Sequence, residues 1–207
     1  MTADAWQLIH AEREALVADL TPLTEEQWTT PSLCANWTVR EALAHLTAAA
    51  MMTPPRFFGH FISAGFRFNT MTANDVAVEV GSSSADTLAR FRAAQSRTTH
   101  PPGPIDAMVG EAVVHGEDIR RPLGITHRYS DEILIRCADF YRKSNLIVGA
   151  KRRAAGLTLR ATDVDWKAGS GPEVSGPLTS IILAITGRRA GLADLSGDGL
   201  PALTERV

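Results

Sequence analysis

The segment EAVVH places Glu111 four residues before His115. Residues at positions i and i+4 lie on the same face of a helix, so both side chains can reach one point in space. A carboxylate and an imidazole that converge in this way are typical metal ligands. The spacing alone is not specific, because six histidines and twenty-three acidic residues in 207 positions give roughly one such pair by chance.

A second pair with the same spacing, Glu41 and His45, occurs earlier in the chain. Thr38 and Glu41 have the form of a capping box, in which the Glu41 side chain binds back to the start of its helix. Glu41 is therefore expected to be structural, although a ligand role is an alternative. His45 lies at the edge of an apolar helix face beside Ala42 and Ala49, whose small side chains leave space for an ion and a substrate. The alternative is a histidine at the edge of the core that hydrogen-bonds to a neighbouring helix.

Hydrophobic periodicity and capping signals place these residues on long helices. Long helices are expected at 4–20, 38–52, 84–95 and 105–121, and a further one begins near residue 130 and carries residues 151–153 at its C-terminal end. After residue 156 the apolar pattern alternates, which predicts three short strands followed by an apolar helix over 177–186. The sequence thus predicts a mainly α protein, with a four-helix bundle in residues 1–154 and a small α/β lobe in residues 155–207.

Composition excludes several classes of protein. Twenty-one basic and twenty-three acidic side chains give a net charge of −2, without the basic character that nucleic acid or a membrane surface favours. Cys34 and Cys137 form neither a disulfide framework nor a CxxC motif, which indicates a reducing compartment. No signal peptide or membrane-spanning stretch is recognised. We expect a cytoplasmic protein that binds small molecules and neither nucleic acid nor membrane; its oligomeric state is open, a homodimer included.

Three segments of the chain resemble one known family. Residues 34–46 (CANWTVREALAHL) resemble the second-helix signature of the DinB-like metalloenzyme superfamily and, more narrowly, of the mycothiol-dependent maleylpyruvate isomerase N-terminal domain. Residues 111–122 (EAVVHGEDIRRP) resemble the second ligand helix of that family, and residues 176–188 resemble a helix that ends in Gly-Arg in its C-terminal lobe. The three segments occur in family order, and the resemblance implies a DinB-like four-helix bundle.

The resemblance also implies a set of metal ligands. In that family the ligands are a histidine from the second helix and a glutamate and a histidine from a later helix, which by motif position are His45, Glu111 and His115. Many DinB-like relatives have a histidine where Glu111 stands, so Glu111 favours the mycothiol-linked branch. Two imidazoles and a carboxylate suit Zn²⁺, and three protein ligands leave a coordination position open, as in catalytic sites.

Two further residues are candidates for catalysis. Asp118, one turn after His115, either accepts a hydrogen bond from that imidazole or pairs at the surface with Arg121. The resemblance implies that Arg188 faces the metal cleft and binds a carboxylate through two hydrogen bonds, whereas the alternative is that it compensates the C-terminal end of its helix. Cys34 precedes a helix N-terminus and is expected to be an inert packing residue.

For the function, the resemblance implies a metal-dependent enzyme that uses a low-molecular-weight thiol, mycothiol, as co-substrate. It would isomerise a small acid of the maleylpyruvate type or transfer the thiol to an electrophile, with the metal-bound sulfur as nucleophile and Arg188 orienting the acid. Two alternatives stay open, a hydrolase whose nucleophile is metal-bound water and a non-catalytic metal-binding protein with the same fold.

Overall fold

The computed structural model describes residues 4–146 and 148–207, and the chain divides into two compact units, residues 1–127 and 128–207. Most described residues are helical, and three short strands lie in the second unit. The predicted fold class, mainly α with a small α/β appendage, is confirmed. The predicted domain boundary at residue 154 falls inside the second unit and stays a prediction. Among the described residues, no helix combines the length and the hydrophobicity needed to cross a bilayer.

The first unit consists of helices, one of which contains a π-helical turn. Its elements are α1 (Ala5–Leu20), α2 (Glu25–Trp28), α3 (Val39–Met51), α4 (Pro54–Ser63), α5 (Phe68–Glu79), α6 (Ser84–Ala94), α7 (Asp106–Gly110), the π-helical turn (Glu111–His115) and α8 (Gly116–Arg120). The last three follow one another without a break and form one continuous helix. The four helices predicted in this unit are confirmed to within one residue at each end. No helix was predicted between residues 53 and 83, where the structure has α4 and α5.

The core of the first unit is built around α3. This helix packs against α5, α6, α8 and the π-helical turn, while α1 packs against α6, α7 and the same turn. The buried apolar members of this core are Leu16, Val17, Leu20, Trp28, Val39, Ala42, Leu43, Leu46, Phe91 and Ile119. Each large aliphatic side chain among them contributes about 1.5–3 kcal/mol on burial, so the core holds α3 firmly against the helix that contains the π-helical turn.

The start of α3 is fixed by the predicted capping box. The hydroxyl of Thr38 accepts a hydrogen bond from the backbone N–H of Glu41 at 3.3 Å. In return, Glu41 Oε2 accepts from the backbone N–H and from the hydroxyl of Thr38, both at 2.8 Å. These bonds satisfy donors that the first turn of a helix leaves unpaired. Glu41 therefore stabilises the start of the helix, as predicted, and its Oε2 atom is occupied by these hydrogen bonds.

The second unit combines helices with a three-stranded sheet. Its elements are α9 (Asp131–Lys143), α10 (Ala150–Ala154), β1 (Thr158–Ala161), β2 (Lys167–Gly169), β3 (Glu173–Gly176), α11 (Leu178–Ile185), a 3₁₀ helix (Arg189–Asp194) and α12 (Leu200–Thr204). β1 is the central strand, antiparallel to β2 and parallel to β3. The single helix expected through residues 151–153 is instead two helices. α9 ends after Lys143 because Ser144 adopts an extended conformation, with φ −113° and ψ 135°, and α10 begins after Gly149, whose φ of +65° is left-handed.

We expect Thr38→Ala to lower the free energy of unfolding by about 1 kcal/mol, because the first turn of α3 loses its side-chain acceptor. Chemical denaturation with two-state analysis measures the change. Thr72→Ala is the matched control, since the Thr72 hydroxyl donates back to the carbonyl oxygen of Phe68 within α5 and its removal should change stability by less than about 0.5 kcal/mol. Equal effects of the two substitutions would contradict the capping role.

Candidate metal centre

Three ligand-type side chains meet where α3 packs against the π-helical turn. His45 lies on α3, and Glu111 and His115 stand at the two ends of the turn. The Nε2 atom of His45 lies 3.1 Å from Oε2 of Glu111, and Nε2 of His115 lies 3.5 Å from the same oxygen. The ligand atoms of all three residues lie within 4.8 Å of one another. The structure therefore brings together the three residues that the sequence nominated.

The spacing of these atoms fits a tetrahedral zinc site. With metal–ligand bonds of about 2.0–2.2 Å, neighbouring ligand atoms lie about 3.3–3.6 Å apart. The contacts of 3.1 and 3.5 Å are close to that separation. Two imidazole nitrogens and one carboxylate oxygen are also the donor set of catalytic zinc sites, in which a fourth position accepts water or substrate. The residues thus fit a divalent ion, and their role as ligands stays a prediction.

The π-helical turn sets how Glu111 and His115 face each other. In such a turn each backbone hydrogen bond spans five residues instead of four, so the side chains at its two ends are rotated relative to their positions in an α-helix. The two side chains still converge, with 3.5 Å between His115 Nε2 and Glu111 Oε2. Single π-helical turns within α-helices occur frequently at functional sites. The turn is therefore a second, independent reason to place the functional site here.

Asp118 holds the opposite edge of the His115 ring. Its Oδ2 atom accepts a hydrogen bond from Nδ1–H of His115 at 2.8 Å, and its side chain has no exposed surface. This bond assigns the ring proton to Nδ1 and leaves Nε2 to face Glu111. The sequence left two alternatives open for Asp118, a hydrogen bond with His115 and an ion pair with Arg121. The structure shows the hydrogen bond with His115, while Arg121 forms an ion pair with Glu117 at 2.9 Å.

Cys34 joins the same cluster, which the sequence did not indicate. Its Sγ atom lies 2.9 Å from Oδ2 of Asp118 and 3.3 Å from Nδ1 of His115. Cys34 belongs to the loop before α3 and is 81 positions away from His115, so no local spacing reveals the contact. Trp37, in the same loop, contacts the ring of His45, with ring centroids 5.0 Å apart. The loop before α3 therefore touches both candidate histidine ligands.

Burial and neighbouring groups act in opposite directions on His115. Burial lowers the pKa of the imidazole, but the charge of Glu111 and the hydrogen bonds with Asp118 and Cys34 outweigh it and raise the pKa well above its usual value. Without a bound cation, the imidazole therefore carries its second proton at neutral pH. A proton and a divalent ion compete for the same side of the ring.

A buried arginine, Arg13 on α1, adds positive charge near Glu111. Its Nη1 atom donates to the backbone oxygens of Gln95 at 3.4 Å and Arg97 at 3.0 Å. Burial lowers the pKa of Arg13 to about 10, partly offset by its attraction to the Glu111 carboxylate. The guanidinium stays charged at neutral pH. The sequence gave no indication of this residue, because only the packing of α1 against the π-helical turn brings it within electrostatic reach of Glu111.

Arg188 lies in the second unit, after α11. It follows Gly187, whose φ of +96° ends the helix in a left-handed conformation. Its Nη1 atom donates to the backbone oxygen of Thr186 at 3.0 Å, a contact that fits the structural alternative of satisfying a carbonyl at a helix end. The binding of a substrate carboxylate by Arg188 stays a prediction.

Comparison with known proteins finds one family model that matches part of the chain and two solved structures that share its fold. Residues 9–101 match the family model described as the mycothiol maleylpyruvate isomerase N-terminal domain, a segment that includes His45 and ends before Glu111. Two crystal structures, of the mycothiol-dependent maleylpyruvate isomerase and of a histidine-to-alanine mutant of it, match with TM-scores of 0.62 and 0.61. Each is 16% identical to this chain and covers 94% of it and 91% of its own length. The family resemblance is thereby confirmed over residues 9–101, and the DinB-like fold over nearly the whole chain. No curated protein matches.

We expect the purified protein to bind about one zinc ion per chain, and His45→Ala and His115→Ala to abolish this binding, because each removes one of the three predicted ligands. Elemental analysis measures the stoichiometry, and far-ultraviolet circular dichroism shows whether each variant is folded. His60→Ala is the control, since His60 pairs with Asp75 at 2.6 Å and should leave the zinc content unchanged. A folded His115→Ala protein with full zinc content would refute the ligand assignment.

Zinc binding at pH 7 should release close to one proton per ion. The pKa of His115 is raised in the ion-free protein, so the ring is protonated at pH 7 and must lose that proton to become a ligand. Apparent affinity should therefore rise with pH until the raised pKa is passed and then level off. Calorimetric titration in two buffers with different ionisation enthalpies counts the protons. Proton-neutral binding at pH 7 would show that the ring is already neutral.

Proposed function

We propose that this protein is a metal-dependent enzyme that uses a low-molecular-weight thiol, mycothiol, either to isomerise a small unsaturated acid of the maleylpyruvate type or to transfer the thiol to an electrophile. The observation that carries the proposal is the convergence of the ligand atoms of His45, Glu111 and His115. The family match over residues 9–101 and the fold shared with a mycothiol-dependent maleylpyruvate isomerase support the choice of thiol and of reaction.

The side chains around the centre have separate tasks. His45, His115 and Glu111 offer three donor atoms, and an ion with three protein ligands keeps a coordination position for a reactant. A divalent ion bound there would supply the Lewis acidity that keeps a thiol ionised near neutral pH. Asp118 retains the proton on Nδ1 of His115, and Trp37 packs on the ring of His45. Both contacts restrict ring rotation, so that the two imidazoles are held ready for binding.

The charge of the donor set favours an anionic sulfur ligand. Two neutral imidazoles and the carboxylate of Glu111 leave one net positive charge on a site that holds a divalent ion. A thiolate neutralises this charge, whereas a neutral ligand does not, and soft sulfur donors bind Zn²⁺ well. The negative charge of Glu111 therefore weakens the attraction between the site and a thiolate. A third neutral ligand in its place would leave two positive charges and hold the thiolate more strongly.

Both proposed reactions use the thiol sulfur as nucleophile. In the isomerisation, the sulfur adds to one carbon of a double bond conjugated to a carbonyl group, and the electron pair of that bond moves to the carbonyl oxygen. The former double bond rotates, the electron pair returns, and the sulfur leaves as the double bond re-forms in the other geometry. In the transfer, the sulfur stays on the carbon, and the electron pair instead takes up a proton at the neighbouring carbon, so that the thiol adduct is the product. In either reaction Arg188 would orient the acid through its carboxylate.

We expect the zinc form to bind mycothiol at least about tenfold more tightly than 2-mercaptoethanol, a difference of about 1.4 kcal/mol that a few hydrogen bonds to the sugar part supply. Because binding as thiolate releases a proton, the affinity for both thiols should rise with pH until hydroxide competes for the ion. Calorimetric titration of the zinc form at two pH values measures both effects.

The controls separate this proposal from its alternatives. The zinc-free His45→Ala protein should bind neither thiol by this route, which shows that binding depends on the ion. Equal affinities for the two thiols would remove the case for mycothiol. Absence of thiol binding in the zinc form would refute a thiol-dependent enzyme and leave a hydrolase, which predicts thiol-independent turnover, or a non-catalytic metal-binding protein, which predicts none.

A further inference from the structure

The loop before α3 is shaped to place Cys34 next to α8. The hydroxyl oxygen of Ser32 accepts from the backbone N–H of Cys34 at 3.2 Å, which closes a tight local turn. Asn36 has a φ of +67°, a left-handed conformation that asparagine adopts more readily than most residues. The backbone N–H of Leu33 donates to the carbonyl oxygen of Asp118 at 3.0 Å. The loop is thus tied directly to the helix that carries Asp118.

Asp118 needs hydrogen-bond donors because its side chain has no exposed surface. Nδ1–H of His115 and the thiol of Cys34 both reach its Oδ2 atom, at 2.8 and 2.9 Å. The Sγ atom also lies 3.3 Å from Nδ1 of His115, so thiol, carboxylate and imidazole each contact the other two. A change at any one of the three alters the hydrogen bonding of the others.

The two ring nitrogens of His115 therefore face different partners. Nε2 faces Glu111 at 3.5 Å, while Nδ1 faces Asp118 and Cys34. We infer that Cys34 is a positioning residue for the metal centre: with Asp118, its thiol holds the Nδ1 edge of His115, so that Nε2 points at the ion. The inference rests on the proposed ligand role of His115 and adds to it a residue from a distant loop. It also differs from the expectation that Cys34 is an inert packing residue.

Positioning by hydrogen bonding can be separated from mere filling of space. Serine is nearly the size of cysteine and keeps a donor in place, whereas alanine removes the donor. Loss of a residue that orients a metal-binding histidine typically weakens metal affinity by about 10–100-fold. Since a thiol is a weak donor and Asp118 stays in place, we expect Cys34→Ala to weaken zinc binding by about three- to tenfold.

The test uses the full-length protein, Cys34→Ala, Cys34→Ser and the control Cys137→Ala, which removes a thiol that is buried in the second unit. Zinc affinity is measured by competition with a chromophoric chelator. The visible spectrum of the cobalt-substituted proteins reports the geometry around the ion, and the ¹⁵N shifts of the His115 ring in the metal-free proteins report the Nδ1 contact. Thermal unfolding is followed in parallel.

We expect the alanine variant to bind zinc three- to tenfold more weakly, with changed cobalt bands and ring shifts. The serine variant should lie within about twofold of the natural protein, and Cys137→Ala should change stability alone. Unchanged zinc affinity in Cys34→Ala would overturn the inference. The inference would also be overturned if the alanine and serine variants lost zinc affinity equally and in proportion to their loss of thermal stability. That result would show that Cys34 only packs. If the natural protein bound no zinc, the proposed function would fail, and the ring shifts of metal-free Cys34→Ala would still decide on the contact itself.

Discussion

A carboxylate without exposed surface persists in a folded protein only if the protein supplies its hydrogen-bond donors, and Asp118 is such a carboxylate. One donor, His115, comes from the same helix, and another, Cys34, comes from the loop before α3. The backbone oxygen of Asp118 accepts from Leu33 in that loop. Because the loop leads directly into α3, these bonds also fix the helix that carries His45. One buried acid therefore links the two candidate histidine ligands, in addition to the apolar core that packs α3 against the helix with His115.

Positive and negative groups are balanced around Glu111, the carboxylate at the middle of the candidate metal centre. The carboxylate is shared between two imidazoles and attracted by the guanidinium of Arg13. Hard cations favour sites with several carboxylates, whereas the donor set here consists of two imidazole nitrogens and a single carboxylate oxygen. The arrangement suits a borderline-soft ion that keeps one position for a reactant.

The sequence predicted the parts of the site that follow from local rules. The i, i+4 spacing of Glu111 and His115, the capping box at Thr38 and the helix bounds in the first unit depend on neighbouring residues alone, and each is present in the structure. The placement of His45 opposite the later helix came from the family resemblance, because periodicity gives the face of a helix and not its partner. Asp118 could not be assigned from the sequence, since both of its alternatives satisfied the same spacing.

Other features depend on tertiary contacts and could not be predicted from the sequence. A π-helical turn leaves no periodic signal over five residues, and the α-helical geometry assumed for Glu111 and His115 was wrong in detail. Cys34 and Arg13 reach the site through packing of a distant loop and of α1. The break between α9 and α10, which begins at Ser144, was missed because the basic run at residues 151–153 resembles a helix C-terminus.

The bond from Leu33 to Asp118 has a consequence for measurement in solution. Leu33 lies outside any helix or strand, where backbone amides normally exchange their hydrogens with water rapidly. Its N–H is bonded to Asp118, so its exchange should be slowed only while the loop is attached to the helix beyond the π-helical turn. The hydrogen-exchange rate of the Leu33 amide therefore reports how often the loop before α3 separates from α8. This measurement requires no ion, thiol or substrate.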